Sequence, residues 1–219
     1  KIGGEQIHVD VPADQAAAVK KALEGGRLDV YLFDEQADPL ASKGKDLPAG
    51  FRLAQESLKS DDEVVHFVVA PKDHRADLEQ LLAENPGAGR ALVGPTGAAD
   101  LRSYYVQSDR AVRGEMLAAA SAEQGDSGAT LILTFEGSGK NLLRWSSKEG
   151  ARFVVQIDGL VLGTVQADAE ITDGVLRVPL QGEGDGALGR AKALAASLAG
   201  KAGGLALSHL TVLSEERPL

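Results

Sequence analysis

The stretch VVQIDGLVLGTVQADAEITDGVLRVPL, residues 154–180, decides the fold class. It contains two Asp-Gly pairs, Asp158-Gly159 and Asp173-Gly174, each between runs of β-branched and aliphatic residues. Asp-Gly between apolar runs is a strong hairpin signal, because both central residues of a type I′ turn need φ > 0. The stretch therefore predicts two or three antiparallel strands whose hairpins are fixed by these two turns. It carries no nucleophile–base pair and no metal cluster, which favours a mechanical or adhesive role.

The composition is that of a globular protein that does not bind nucleic acid. Of 219 residues, 43% are hydrophobic and 25% charged, which is enough for a real core. The net charge of −9 and the 4% of aromatic residues argue against binding to a phosphate backbone and against base stacking. The chain has no cysteine, so disulfides, zinc–thiolate sites and cysteine nucleophiles are excluded.

The chain has no segment that predicts a membrane span. No apolar run approaches the ~18 residues that a membrane helix needs. The sequence opens directly on KIGGEQIHVDVP, without a leader. It is therefore predicted to be a soluble piece of a longer protein.

Two strand–helix–strand units of similar length are predicted before residue 95. The first covers residues 6–34, with strands at 7–11 and 28–33 and a helix that Pro12 opens and Gly25-Gly26 ends. The second covers residues 63–94, with strands at 64–69 and 90–93 and a helix after Pro71. The two units could form one ferredoxin-like sheet or belong to separate sheets, and both arrangements stay open.

The rest of the chain alternates predicted strands and helices. Residues 34–62 are predicted to be a polar connection with at most a short strand near 51–55. Further strands are predicted near 104–107, 129–135 and 207–213, and helices near 113–123, 140–148 and 187–198. The fold class is α+β, with antiparallel or mixed sheets and helices on one face.

Two glycine-rich motifs resemble nucleotide sites but lack essential parts. Residues 184–189 read G-x-G-x-x-G, yet position 209 is histidine and the next acid is Glu215. A dinucleotide site needs a parallel strand–helix–strand unit and an acid about 20 positions on, at a strand end. In GSGK, residues 137–140, a phosphate loop would need glycine at Thr134 and serine or threonine at Asn141. Both motifs are interpreted as turns that enter helices, and no cofactor is expected.

Other candidate residues also point away from catalysis. The four histidines, at positions 8, 66, 74 and 209, show no metal spacing with one another or with carboxylates. No Gly-x-Ser-x-Gly elbow exists. Met116 and Trp145 lie at helical spacing with apolar residues and are predicted to be core residues. The chain is therefore predicted not to be an enzyme, with a glycine-loop enzyme kept as the weakest alternative.

Four segments, taken in order, resemble the first large periplasmic domain of SecD, an accessory membrane subunit of the Sec protein-export channel. GGEQIHVDVP is similar to the family's Gly-Gly-x-x-Ile strand. RGEMLAAASAEQ is similar to its Thr-Gly-(Asp/Glu)-Ile helix. Residues 131–162 resemble its Phe-Gly strand and helix followed by Leu-Asp-Gly-x-Val. Residues 194–217 resemble its Leu-Ala helix and final Glu-Glu-Arg. The chain departs from the family at Gly163-Thr164-Val165, where Ala-Pro is usual, and at Val112.

The resemblance implies a non-catalytic domain on the periplasmic, extracytoplasmic side of the membrane. Such a domain is tethered to the membrane in its parent protein and captures and helps to move unfolded preprotein. Its other partners, reached through the parent protein, are a SecF-like subunit and the Sec channel. The alternative reading is an extracytoplasmic ligand-binding or assembly module unrelated to export.

The resemblance also implies two lobes joined by a hinge. The base comprises residues 1–35 and 206–219, a ferredoxin-like half. The head is inserted as residues 36–205 and includes 63–94 as a module. The crossings are DEQADP, which starts at Asp34 and Glu35, and GKAGGLA, which contains Gly203 and Gly204. Glycine allows hinge bending at little steric cost. A simple helix C-cap at GKAGG is the alternative.

Overall fold

The computed structural model describes residues 27–35, 46–57, 64–87, 89–96, 99–125, 128–148, 151–180 and 185–202. These residues form the predicted α+β fold. The strands are β1 (Leu28–Phe33), β2 (Arg52–Ser57), β3 (Val64–Pro71), β4 (Arg90–Thr96), β5 (Asp100–Arg113), β6 (Leu117–Gly125), β7 (Gly128–Phe135), β8 (Arg152–Ile157), β9 (Leu160–Gln166) and β10 (Val175–Leu180). The helices are α1 (Arg75–Glu84), α2 (Gly137–Ser146) and α3 (Asp185–Ala202).

The main sheet has seven described strands built around β5. They follow the order β2-β3-β5-β1-β8-β9, and β4 also pairs with β5. The first half of β5 pairs with β3 and β4, while its second half pairs with β1. Every pairing is antiparallel. The predicted strand at 104–107 is thus the middle of a much longer strand.

Both faces of the main sheet are covered. In β1 the side chains alternate between faces, as the period of a strand requires. Leu28, Val30 and Leu32 join the largest core, whereas Tyr31 and Phe33 join a second core on the opposite face. All six residues of β1 are buried, so β1 is a central strand that carries apolar side chains toward both faces.

Two layers pack against the main sheet. A three-stranded sheet, β10-β7-β6, contributes Leu131, Leu133 and Phe135 to the largest core. Helix α3 lies against β6 and β7. Helix α1 buries Leu78 and Leu82 against β3, β4 and β5. Burying one leucine side chain stabilises a fold by about 1.5–3 kcal/mol, so these two leucines suffice to fix α1 in place.

The hairpin predicted at Asp158-Gly159 is confirmed. Asp158 has φ +52° and Gly159 φ +79°, the two positive angles of a type I′ turn. Ile157 and Leu160 close the hairpin between β8 and β9. Asp158 also pairs with Arg27: its N–H donates to the Arg27 carbonyl and its Oδ1 accepts the Arg27 N–H, both at 2.8 Å. The turn thus extends the ladder between β1 and β8.

The second Asp-Gly pair does not form the predicted hairpin. Residues 154–180 do not make one sheet, because β8 and β9 belong to the main sheet and β10 pairs with β7. Gly174 has φ +78°, and its carbonyl accepts the Phe135 N–H at 2.9 Å. Asp173 caps the start of β10 by accepting the Val175 N–H. The pair therefore turns the chain from one sheet into the other.

The predicted helix at 113–123 is wrong. Residues 114–116 form a short 3-10 helix, and the chain continues as β6, which pairs with β7 along its whole length. Alanine, glutamate and glutamine favour helix locally. Burial alternates along the first part of β6, however, with Leu117, Ala118, Ala120 and Ala122 less exposed than Ala119 and Ser121. Pairing with β7 therefore overrides the local propensity.

Most other predicted elements are present with shifted ends. The described parts of the chain contain the strands near 28–33, 51–55 and 129–135, the unit at 63–94 and the last two helices. Within 63–94, β3 and β4 lie on opposite edges of β5 rather than side by side. The elements predicted at 7–25 and 207–213 lie outside the described residues. Among those described, no helix is long and apolar enough to cross a membrane.

The domain boundary predicted at residue 35 separates strands that lie side by side in one sheet. β1, assigned to the base, lies between β5 and β8, which were assigned to the head. Residues 1–26 and 206–219 lie outside the described residues. The boundaries at 35 and 206 therefore stay a prediction.

Replacing Gly159 by valine should destabilise the domain. A β-branched residue fits φ +79° poorly, and a strained backbone position costs about 1–3 kcal/mol. Urea denaturation at equilibrium measures the loss of unfolding free energy. Gly159→Asn is the matched control and should lose less, because asparagine tolerates positive φ. Equal losses in both variants would contradict the assignment of a type I′ turn.

Candidate functional site

The structure gives neither glycine-rich motif a nucleotide site. Gly186 and Gly189 lie inside α3, and the strand before that helix, β10, is antiparallel to its described neighbour β7. The parallel strand–helix–strand unit that a dinucleotide site requires is therefore missing from this part of the fold. Residues 137–140 form the first turn of α2, as predicted.

The described histidines form no metal site. His66 lies on β3 and His74 in the 3-10 helix before α1, while His8 and His209 lie outside the described residues. No cluster of three or more metal-ligating side chains occurs in the described part of the chain. The His74 Nδ1 lies 2.8 Å from the Asp77 carboxylate, whose hydrogen bond raises the pKa of the imidazole. Both side chains are exposed, so the pair is a surface interaction.

A partly buried charge cluster joins β2 to two other strands. The Glu56 carboxylate accepts two hydrogen bonds from Arg102 on β5, both at 2.9 Å, and one from Arg152 on β8 at 3.0 Å. The Arg102 guanidinium lies 3.6 Å from the centre of the Phe67 ring, and Arg152 Nε also donates to Glu35. Two guanidinium groups thus share one carboxylate across three strands.

The cluster shifts the pKa of Glu56 in a direction that stabilises the fold. Burial acts to raise the pKa of this carboxyl, but hydrogen bonds and charge from Arg102, followed by Arg152, outweigh burial and hold the pKa below its usual value. The carboxylate of Glu56 thus links β2 to β5 through Arg102 and to β8 through Arg152. The arrangement is a side-chain clamp between three strands.

A groove of about 400 Å³ lies between α1, β4 and the β8–β9 turn. Apolar Leu82 and Val93 line it together with backbone of β4, while Arg75, Glu79 and Arg90 supply charge. Its lining residues are Arg75, Glu79, Leu82, Ala83, Pro86, Gly87, residues 89–93, Gln156 and Gly159. A mixed apolar and hydrogen-bonding groove of this kind is typical of a binding site.

The charged side chains of the groove are already held in place. Arg75 Nε donates to Glu79 at 2.8 Å, one turn further along α1. Arg90 Nη1 donates to the Tyr31 hydroxyl at 2.9 Å.

Strand β4, which lines the groove, also packs against β9. A side chain at Gly94 on β4 would lie 2.6 Å from Val161 Cβ on β9, so only glycine fits there. The sequence did not predict the groove, because its lining residues come from segments far apart in the chain.

Trp145 is exposed, not a core residue as predicted. On α2 it is 77% exposed, and with Asn141, Arg144, Lys148 and Glu170 it lines a depression of about 260 Å³. Arg144 Nε lies 2.6 Å from Glu170, and this hydrogen bond lowers the pKa of the Glu170 carboxyl. Helical spacing with Leu142 suggested burial, but Leu143 faces the core while Trp145 faces solvent. Met116 packs against the core as predicted.

Of the two predicted hinge crossings, only the first, at Asp34 and Glu35, lies among the described residues. Asp34 is buried, and its N–H donates to the Tyr105 carbonyl at 2.9 Å. Glu35 accepts a hydrogen bond from Arg152 at 3.2 Å. Gly203 and Gly204 lie outside the described residues.

Glu56→Gln should reduce stability and its dependence on pH. The folded pKa of Glu56 is lowered from 4.5, so its stabilisation is present above that value and is lost as pH falls through the folded pKa. We expect a loss of about 1–3 kcal/mol at neutral pH. Below pH 4.5 the stability of the variant should fall less steeply than that of the wild type. Urea denaturation across this range measures both effects.

The exposed pair Arg75–Glu79 supplies the control for Glu56→Gln. Glu79→Gln should change the free energy of unfolding by less than ~1 kcal/mol, as is usual for a surface ion pair. Equal losses in the two variants would show that the clamp on Glu56 adds nothing beyond a surface contact.

Comparisons with known proteins give structural matches only. No protein-family model matches the chain, and no curated protein matches it. Two solved structures are similar over most of its length. One is described as "Crystal structure of SecDF in Super-membrane-facing form", with 19% identity and a TM-score of 0.46 over 87% of this chain. The other is described as "Structure and function of a membrane component SecDF that enhances protein export", with 18% identity and a TM-score of 0.46 over 89% of this chain.

The matches differ in how much of each solved chain they cover. This chain spans 21% of the first solved chain and 71% of the second. Both descriptions name SecDF.

Proposed function

We propose that this chain is a non-catalytic extracytoplasmic domain of a SecD-like translocase accessory subunit that captures exported, unfolded polypeptide. The observation that carries the proposal is the groove between α1, β4 and the β8–β9 turn. Four sequence segments, in the same order as in the SecD family, resemble that family. In this proposal the unfolded preprotein is the partner of the groove, and a SecF-like subunit and the Sec channel are reached through the parent protein.

The chemistry of the groove suits an unfolded chain. Leu82 and Val93 offer apolar surface, and Arg75, Glu79 and Arg90 place both signs of charge at its rim. An unfolded polypeptide presents apolar side chains, charges and unpaired backbone groups together, so a groove with all three kinds of partner can hold many sequences. No group in the lining is paired as a nucleophile and a base, which agrees with binding rather than catalysis.

The buried position of Asp34 argues against bending at the first of the two predicted crossings. Because Asp34 is buried and bonded to β5, we place bending at Gly203-Gly204, directly after the end of α3 at Ala202. A helix C-cap at the same glycines remains the competing interpretation.

Crosslinking from the groove tests the capture of exported chains. A photoreactive residue at Ala83, which is exposed on α1, should crosslink to a stalled exported chain in cells that carry the full-length parent protein. The matched control is the same residue at Lys192, exposed on α3 away from the groove. Crosslinks of equal yield at both positions, or none at Ala83, would reject the groove as the capture surface.

Replacing both Gly203 and Gly204 by proline should impair export in a complementation assay while the domain stays folded. Proline fixes φ near −65° and removes the freedom that bending needs. Export is read from the processing of an exported reporter, and folding from the melting temperature of the purified domain. Normal export by a stable double variant would eliminate the hinge and leave the helix cap.

A further inference from the structure

The two arginines that line the groove differ in their ion pairing. Arg75 Nε lies 2.8 Å from the Glu79 carboxylate on the same helix. Arg90 pairs with none of the described carboxylates. With two arginines and one glutamate, the lining has a net charge of +1, although the whole chain has a net charge of −9. The groove therefore keeps one cation whose charge no described side chain balances.

Strand pairing fixes the place of the Arg90 side chain. Arg90 is opposite Val106 on β5, and Val106 is opposite Phe33 on β1. Tyr31 lies two residues before Phe33 and therefore on the same face of β1. Arg90 Nη1 donates to the Tyr31 hydroxyl at 2.9 Å, and the guanidinium carbon lies 5.7 Å from the centre of the Tyr31 ring. Since Tyr31 is buried, it anchors this guanidinium from across β5.

The anchor leaves most donors of the Arg90 guanidinium available. Nε and Nη2 of Arg90 form no hydrogen bond with a described residue, and the residue is exposed at the start of β4. A guanidinium presents its N–H groups in a planar fork that matches the two oxygens of a carboxylate. Arg90 is therefore equipped to bind a carboxylate that enters the groove.

Two carboxylates in or beside the groove are already balanced by arginines. Glu79 in the lining pairs with Arg75. Asp29 is opposite the lining residue Gln156 in the ladder between β1 and β8, and it lies 3.0 Å from Arg27 Nε. Both negative charges are thus compensated locally, so they oppose an anionic ligand less than isolated carboxylates would.

Apolar surface lies beside the cation. Leu82 and Ala83 on α1, Pro86 after that helix and Val93 on β4 all belong to the lining. The volume of about 400 Å³ is near the lower end of the roughly 300–1,000 Å³ that ligand pockets occupy. The groove therefore suits a short stretch of extended chain, in which an apolar side chain and a carboxylate are close together.

We infer that Arg90 makes the groove select polypeptide segments in which an acidic side chain lies next to apolar ones. The carboxylate accepts N–H groups of Arg90, while a neighbouring apolar side chain packs on Leu82 and Pro86. The inference rests on the proposed function for the source of the segment, an exported unfolded chain. The carboxylate belongs to an internal acidic residue, because a chain caught during export presents many such residues and at most one carboxyl terminus.

Peptides that differ only at the acidic residue provide the test. The first is a short serine–glycine peptide with a central Leu-Glu-Leu and blocked termini, and the second has glutamine in place of glutamate. The third is the glutamine peptide with a free C-terminal carboxylate. In isothermal calorimetry with the purified chain, the glutamate peptide should bind about tenfold more tightly than the other two, since hydrogen bonds to charged groups contribute at least this factor. Equal affinity for the first two peptides, no measurable binding of any, or tight binding of the third alone would overturn the inference.

Substitutions of Arg90 separate recognition from support of the fold. Arg90→Gln should bind the glutamate and glutamine peptides equally. A residue that only supported the fold would weaken both peptides by the same factor and leave their ratio unchanged, which would contradict the inference. Arg90→Lys should keep part of the preference, because lysine retains the charge without the planar fork.

Arg177→Gln is the matched control for Arg90→Gln. It makes the same change of charge at an exposed residue of β10, in the three-stranded sheet, and should keep the full preference for the glutamate peptide. An equal loss of preference in the two variants would attribute the effect to the net charge of the chain and overturn the role of Arg90.

Nuclear magnetic resonance of the wild type covers the case in which Arg90→Gln does not fold. The Nε–H signal of Arg90 should shift when the glutamate peptide is added and should stay in place with the blocked glutamine peptide. Identical responses to the two peptides would overturn the inference.

Crosslinking distinguishes this inference from the proposed function. A stalled exported chain with an acidic residue beside leucine should crosslink from Ala83 more strongly than the same chain with glutamine there. Equal crosslinks from both chains would keep the capture of exported chains and reject selection by Arg90. A preference for the glutamate peptide without any export crosslinks would keep the carboxylate site and reject the export role.

Discussion

The backbone ladder of β5 is the interaction on which the structure depends. Its first half is held on both edges, by β3 and β4, and its second half by β1. Helix α1 packs on the first half, whereas the three-stranded sheet packs near the second. The Glu56 clamp adds a side-chain link, since Arg102 lies on β5 and Arg152 on β8. Loss of register in β5 would separate the groove from the core that supports it.

The sequence predicted correctly those elements in which the local conformational preference agrees with the pairing and packing in the fold. Asp158-Gly159 is correct because the turn depends on two adjacent residues. β1 and β7 are correct because apolar β-branched and aromatic side chains suit strands buried on one or both faces. Residues 113–123 were predicted wrongly because alanine favours helix, while the partner strand that decides the conformation lies at residues 128–135. No pattern within residues 113–123 predicts their pairing with β7.

The site was beyond prediction for a similar reason. The groove joins a helix near residue 80, a strand near residue 91 and a turn at residue 159, and the chain brings them together only through β5, β1 and β8.

The exposed position of Trp145 determines what optical spectroscopy reports. It is the only tryptophan in the chain, and at 77% exposure its indole is surrounded by water in the folded state. Its emission maximum should therefore barely move on denaturation. The tyrosines at 31, 104 and 105 are buried, so near-ultraviolet circular dichroism of these rings follows the core. A blue shift of the indole emission would instead signal a partner that covers α2, at a surface separate from the groove.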